Sequence, residues 1–201
     1  MIESIWLFGY GSILWRPDFP YTAAKAARLS NFQRRFWQAS TDHRGTPSRP
    51  GAVATLRYCE GAQTLGIAYR IEHAGLIQTM TQLDQREKNG YVQQTVAVTL
   101  DTGQTISAIT YVAQAGNTWD LGRPTDEILA EQIRSARGPS GTNLTYFQYL
   151  RWASRCLKEA DDHLDRLAVE LARLGCRAIL NPTAAGLQIE KALVPWHPLM
   201  R

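Results

Sequence analysis

Cysteine is scarce in this 201-residue chain: Cys59, Cys156 and Cys176 form an odd set with no Cys-x-x-Cys spacing. That argues against both a disulfide framework and a thiolate zinc site. The four histidines (His43, His73, His163 and His197) are scattered, so no metal site is expected. No apolar run approaches the ~20 residues of a membrane-spanning helix. The start of the chain has no basic segment leading into an apolar core and a small-residue cleavage site. The expectation is a cytoplasmic protein without membrane insertion. Gly-x-x-x-x-Gly-Lys and Gly-x-Ser-x-Gly are also missing, and Leu14 stands where a dinucleotide fingerprint needs its third glycine. Nucleotide and serine-hydrolase readings fall away. With no basic run, and with tryptophans and tyrosines at core-like positions, no nucleic-acid partner is expected.

What is present is the composition of a globular domain, 44% hydrophobic and 20% charged. The chain reads as a single domain over 1–201, with 176–201 an irregular, proline-containing extension. Nothing in it sets an oligomeric state. The net charge of +4 lies in the first fifty residues, where seven cations face three carboxylates; the remainder balances. Such a bias suits a small anionic ligand as well as it suits a solvated basic face.

The first half reads mainly as strands. Ile5–Phe8 is a short buried strand. Gly51–Tyr58 and Thr64–Ile71 flank Cys59-Glu60-Gly61-Ala62 and predict a hairpin. Tyr91–Leu100 and Thr105–Ala113 flank Asp101-Thr102-Gly103 and predict a second. Between them Ala74–Glu87 predicts a helix, with Leu76, Met80 and Leu83 on one stripe. The second half is helical. Thr125 caps one helix, which Gly138-Pro139-Ser140-Gly141 stops, and Asn143 is the expected cap of the next. Leu157, Leu164, Leu167, Leu171 and Leu174 mark an amphipathic stretch closed by Gly175. Strands first and helices later predict an α+β fold, with an antiparallel sheet or small β-barrel and helices mostly in the C-terminal half.

Two short segments are candidates for chemistry, each with a plainer alternative: a tight turn between packed aromatics for the first, a solvated surface charge for Glu87 in the second. In Leu7-Phe8-Gly9-Tyr10-Gly11-Ser12, two glycines at a strand end can take positive φ and offer bare N–H groups to an anion or a polarised carbonyl. In Arg86-Glu87-Lys88-Asn89-Gly90-Tyr91, the flanking cations are expected to hold Glu87 ionised. Asn89 tolerates positive φ, so a turn is expected there.

These segments, with Arg35–Gly45, Leu83–Tyr91 and Gly138–Asn143 plus Tyr146, closely resemble in content and order the ChaC-type γ-glutamylcyclotransferases, over about Ile5 to Leu174. The resemblance implies a γ-glutamylcyclotransferase-like fold on a small barrel, no cofactor, and conversion of glutathione to 5-oxoproline and cysteinylglycine. It implies Glu87 as the catalytic group. It places the γ-glutamyl end of the substrate on Leu7, Phe8, Gly9, Tyr10, Gly11, Ser12 and Tyr146. The loop amides either hold the α-carboxylate or steady an oxyanion. Tyr10 is a pocket-lining candidate, and Tyr91 is either that or barrel packing. Arg44 and Arg35 either attract the glycine carboxylate or pair with Asp42 and Asp84. Two departures from the family pattern are Ile13 in place of leucine and Asn89 in place of glycine. Two other readings stand beside this one: a cyclotransferase for other γ-glutamyl peptides or amines, and a non-catalytic glutathione-binding module.

Overall fold

The computed structural model describes residues 4–177; most of the expected 176–201 extension therefore lies outside the described residues. Five strands close a barrel in the order β1-β3-β2-β4-β5. They are β1 (Ser4–Gly9), β2 (Ala23–Ser40), β3 (Gly51–Glu72), β4 (Tyr91–Leu100) and β5 (Thr105–Ala113). Neighbours are antiparallel except at the closure, where Leu7 of β1 meets Ile109 of β5 in parallel. Helix α1 (His73–Arg86) links β3 to β4. Helices α2 (Asp126–Ser135), α3 (Asn143–Cys156) and α4 (Asp162–Arg173) follow the barrel, with a small ribbon of β6 (Arg137–Gly138) and β7 (Gly141–Thr142) between the first two. The architecture is α+β, as the order of elements predicts. Among the described residues no helix is long and apolar enough to cross a membrane.

One expected hairpin is not there. Gly51–Tyr58 and Thr64–Ile71 belong to a single 22-residue strand, and both halves pair with β2 rather than with each other. Residues Cys59–Ala62 are a bulge opposite Asn31, across which the register shifts between Ser30↔Gln63 and Phe32↔Tyr58. Asn31 and Gly61 both take positive φ, and the Gly61 N–H donates to Asn31 Oδ1 at 3.0 Å. A bulge with a left-handed residue on each strand accommodates turn-forming residues inside a continuous ladder.

The β4–β5 hairpin pairs Tyr91 with Ala113 through Thr99 with Thr105. Thr125 caps α2, accepting from the Ile128 N–H. At α3 the cap is Thr142, whose hydroxyl accepts from the Thr145 N–H at 3.1 Å. Asn143, the expected cap, is instead fully buried inside the first turn. Its amide takes the Ala52 N–H at 2.6 Å and donates to the Ala52 carbonyl at 2.7 Å, standing in for a strand neighbour. Of the leucine series, Leu164, Leu167 and Leu171 are buried on α4, whereas Leu157 ends α3 and Leu174 is exposed.

The start of the barrel is shaped by lack of room. A Cβ on Gly66 of β3 would sit 2.4 Å from the Gly9 carbonyl oxygen and 2.6 Å from the Phe8 ring. On Gly9 it would sit 2.7 Å from Ile13 Cγ2. Neither Gly9 nor Gly11 takes positive φ. These glycines serve close approach rather than a left-handed turn. After Gly11 the chain enters a single 3₁₀ turn, Ser12–Leu14, closed by the Leu14 N–H on the Gly11 carbonyl at 3.0 Å.

Candidate active site

Glu87 caps the C-terminus of α1, with its N–H on the Leu83 carbonyl at 2.7 Å. Asn89 and Gly90 then take positive φ (60° and 88°) and turn the chain into β4. The Asn89 carbonyl accepts from Gln38 Nε2 at 2.6 Å, and its side chain donates to Thr41 Oγ1 at 3.2 Å. Asparagine thus takes up the left-handed geometry expected of it.

The Glu87 side chain is only 16% exposed. It lines two adjoining cavities: an outer cleft of about 180 Å³ and an inner chamber of about 40 Å³ formed largely by Phe8–Ile13. Ser12, Tyr91 and Tyr146 also line both. Burial pushes the Glu87 carboxyl above its ordinary value; Arg86 and His43 pull it partly back, and Asp42 adds to the rise. Its place at the negative end of a helix dipole acts in the same upward sense. Flanking cations therefore do not govern this group. Lys88 is exposed to solvent, Arg86 stands 3.5 Å away, and desolvation wins.

Three tyrosines face this acid. Tyr10 donates its phenolic proton to the Tyr111 carbonyl at 2.6 Å, and Tyr91 donates to the Ala54 carbonyl at 2.6 Å. Tyr146 differs, because its oxygen accepts the Ala54 N–H at 3.2 Å. Its own proton is left for another acceptor. Burial and the Glu87 charge keep Tyr146 protonated, with its pKa pushed up to about 12. Its ring is held edge-on by Trp15 and Phe36, at 5.4 and 5.8 Å between centroids, and is covered by the Arg44 guanidinium at 5.6 Å.

The structure brings most of the sequence-derived candidates together. Phe8, Gly9, Tyr10, Gly11, Ser12, Glu87 and Tyr146 all line the inner chamber. Leu7 does not. It is fully buried within β1, in register with Tyr69 of β3 and Ile109 of β5. Arg44 lines the outer cleft without an acidic partner among the described residues, whereas Arg35 lies elsewhere, over the Trp37 ring. Neither forms the ion pair with Asp42 or Asp84 that the sequence left open. Asp84 instead accepts from Tyr111 and Gln93, each at 2.6 Å. Tyr91 is a wall residue of both cavities. His43 was not anticipated; it lines the outer cleft with Nδ1 3.1 Å from Ser140 Oγ. Only the contact of the β6–β7 ribbon with the Asp42–Gly45 loop reveals it, and residue type gives no such signal. Among the described residues no group of three or more His, Cys, Asp or Glu is placed to hold a metal ion.

The site is thus one desolvated carboxyl at the junction of two small cavities, set in a closed five-stranded α+β barrel. The family model described as ChaC-like protein matches residues 5–174, and the chain belongs to that family. A rat relative, glutathione-specific γ-glutamylcyclotransferase 1, is 36% identical over 171 residues, covering 82% of this chain and 77% of its own. The Escherichia coli (strain K12) glutathione-specific γ-glutamylcyclotransferase is 33% identical, covering 85% and 74%. The crystal structure of the selenomethionine-labelled glutathione-specific γ-glutamyl cyclotransferase from yeast superposes with a TM-score of 0.80 at 28% identity, covering 85% of this chain and 96% of that one.

Proposed function

We propose that this protein converts glutathione to 5-oxoproline and cysteinylglycine, with Glu87 as general base and then general acid. The observation that carries the reading is the position of Glu87, a carboxyl lifted by burial at the point where the two cavities meet. The inner chamber takes the γ-glutamyl end, and the outer cleft takes the cysteinylglycine portion beside Arg44.

The reaction joins two ends of one residue. The α-amine attacks the γ-carbonyl, a five-membered ring forms, and the amide nitrogen leaves with a proton. Both reacting groups belong to the same molecule, so the protein's task is to hold the folded rotamer, where effective molarity is high. An α-amine with a pKa of about 8 is mostly protonated at neutral pH and must lose a proton before it attacks. A carboxylate whose pKa is raised toward that of the amine is a better match for this transfer than an ordinary solvated one. Tyr146, with its proton free, is the side chain suited to donate to oxygen in the inner chamber. Arg44 supplies the positive charge for the carboxylate of the departing dipeptide.

The test is incubation of purified, chelator-treated protein with glutathione and assay for both products. Their appearance supports the reading; their absence leaves a glutathione-binding role. Parallel assay of γ-glutamyl-alanine separates strict glutathione use from a broader γ-glutamyl range. Comparable turnover of the two would sink specificity.

A further inference from the structure

Arg34 lies on β2 and is 1% exposed, yet it lines neither cavity. Each of its three nitrogens is held by the protein. Nη1 donates to Glu159 Oε2 at 2.6 Å, Asp161 Oδ2 at 2.7 Å and Ser154 Oγ at 3.0 Å, and Nη2 donates to the Leu65 carbonyl at 2.8 Å. Glu159 closes the network by accepting the Leu65 N–H at 2.7 Å. These bonds fix the guanidinium against β3 and the α3–α4 connection. The third nitrogen, Nε, donates to the Tyr10 carbonyl at 2.9 Å.

That last bond has a stereochemical consequence. The Tyr10–Gly11 peptide is trans, so its C=O and N–H point in opposite directions. Holding the Tyr10 oxygen toward Arg34, outside the chamber, turns the Gly11 N–H the other way. Gly11 lines the inner chamber, and a Cβ built on it would stand 3.5 Å from the Tyr146 hydroxyl oxygen. The Gly11 N–H has no acceptor among the described residues. Tyr146 accepts the Ala54 N–H and donates to no acceptor among the described residues, so its proton is likewise free.

We infer that Arg34 is a positioning residue, which aims the Gly11 N–H beside the Tyr146 hydroxyl as a two-donor site for an oxygen of the γ-glutamyl group. This rests on the proposed γ-glutamyl chemistry and adds an orienting residue that touches no substrate. Its effect is transmitted through one peptide plane. An amide left free to rotate would lose its aim, and preorganised donors are worth far more than donors that must be reoriented during reaction.

The substitution Arg34→Lys keeps a cation near Glu159 and Asp161 but has no Nε to meet the Tyr10 oxygen. The control is Leu167→Ala, a truncation in the buried face of α4 that lowers stability away from the site. Steady-state kinetics at 25 °C should show kcat/KM reduced about 10–100-fold in Arg34→Lys. Leu167→Ala, at an equal or greater fall in Tm, should stay within about threefold of the parent. Amide NMR gives a readout independent of any variant: saturation of the parent with 5-oxoproline should move the Gly11 N–H resonance downfield, and Arg34→Lys should shrink that movement. If Arg34→Lys does not fold, a Gly11 resonance in the parent that ignores the product still overturns the inference. Unchanged kcat/KM in folded Arg34→Lys, losses that simply track Tm in both variants, or a Gly11 resonance indifferent to product would each overturn the inference. A parent that neither turns over glutathione nor binds 5-oxoproline would instead overturn the functional reading beneath it.

Discussion

Arg86 Nη2 donates to Ser12 Oγ at 2.8 Å while Nε of the same guanidinium stands 3.5 Å from Glu87 Oε1. One side chain therefore ties the turn after β1 to the helix end that carries the acid, 74 residues later in the chain. It also donates to the Arg16 carbonyl at 2.9 Å, so the segment after β1 is held at two points, one in the 3₁₀ turn and one just beyond it.

Replacing Arg86 with Gln removes the main influence opposing the rise in the Glu87 pKa. The acidic limb of the kcat/KM profile should move to higher pH. The expected loss is on the order of tenfold on the acid side and only a fewfold on the alkaline plateau. A pH–rate profile checks this; a uniform loss at all pH values would mean that Arg86 acts only by holding Ser12.

Glu87→Gln should lower kcat/KM by about 10²–10⁴. It should also make the protein more stable at neutral pH. A carboxyl whose folded pKa lies above its unfolded value favours folding only while protonated. That contribution is lost as pH rises through the folded pKa, and ionisation of the buried group then costs stability. The variant avoids that cost, so its Tm should exceed the parent's by a few degrees at pH 7–8. The two should converge below the ordinary glutamate range. Thermal melts across pH measure the difference.

His163 is 2% exposed, and its Nε2 accepts the Phe36 N–H at 3.1 Å. Burial lowers its pKa to about 4, with Arg35 adding to the effect, against an ordinary value of 6.5. The unfolded chain therefore binds the proton first, and stability should fall as pH drops from about 6.5 to 4. The loss should be on the order of 3 kcal/mol. Urea unfolding of the parent against His163→Gln isolates this term, since the Glu87 contribution is common to both. A pH-independent difference would refute it.

Gly66→Ala should cost at least about 1–3 kcal/mol, because the new methyl meets the Gly9 carbonyl and the Phe8 ring below van der Waals distance. The displaced backbone leads into the Gly11 turn, so kcat/KM should fall too. Gly61→Ala meets no neighbouring atom but is strained by its positive φ, so it should cost about 1–2 kcal/mol while leaving activity intact. Paired denaturation and activity measurements distinguish the two positions.

The legible parts of the fold were those with a local cause. The 3.6-residue stripe of α1, the Thr125 cap and the alternation of β4 with its Asp-Thr-Gly turn each act within a few residues of themselves. The β3 bulge has no such local mark. Cys59–Ala62 satisfies the chemistry of a hairpin turn, and only the presence of Asn31 across the ladder makes it an interruption instead. Asn143 misled for the same reason. Its type suits a helix cap, but a distant strand residue, Ala52, claims its amide. In the site, Glu87 and the glycine turn were readable as motifs. Arg34 and His43 were not, since the groups that pin them, Glu159 and Ser140, lie about a hundred or more residues away. The direction in which the Glu87 carboxyl is shifted is set by the solvent that folding removes, which the cations beside it in sequence do not reveal.

Both peptide groups of Ala54 are engaged by tyrosines, its carbonyl by Tyr91 and its N–H by Tyr146. Which phenol keeps a hydrogen to offer is therefore settled by the polarity of the main chain at one strand residue. Proton direction in this cleft is inherited from the path of the backbone, so the chemistry is as durable as the barrel itself.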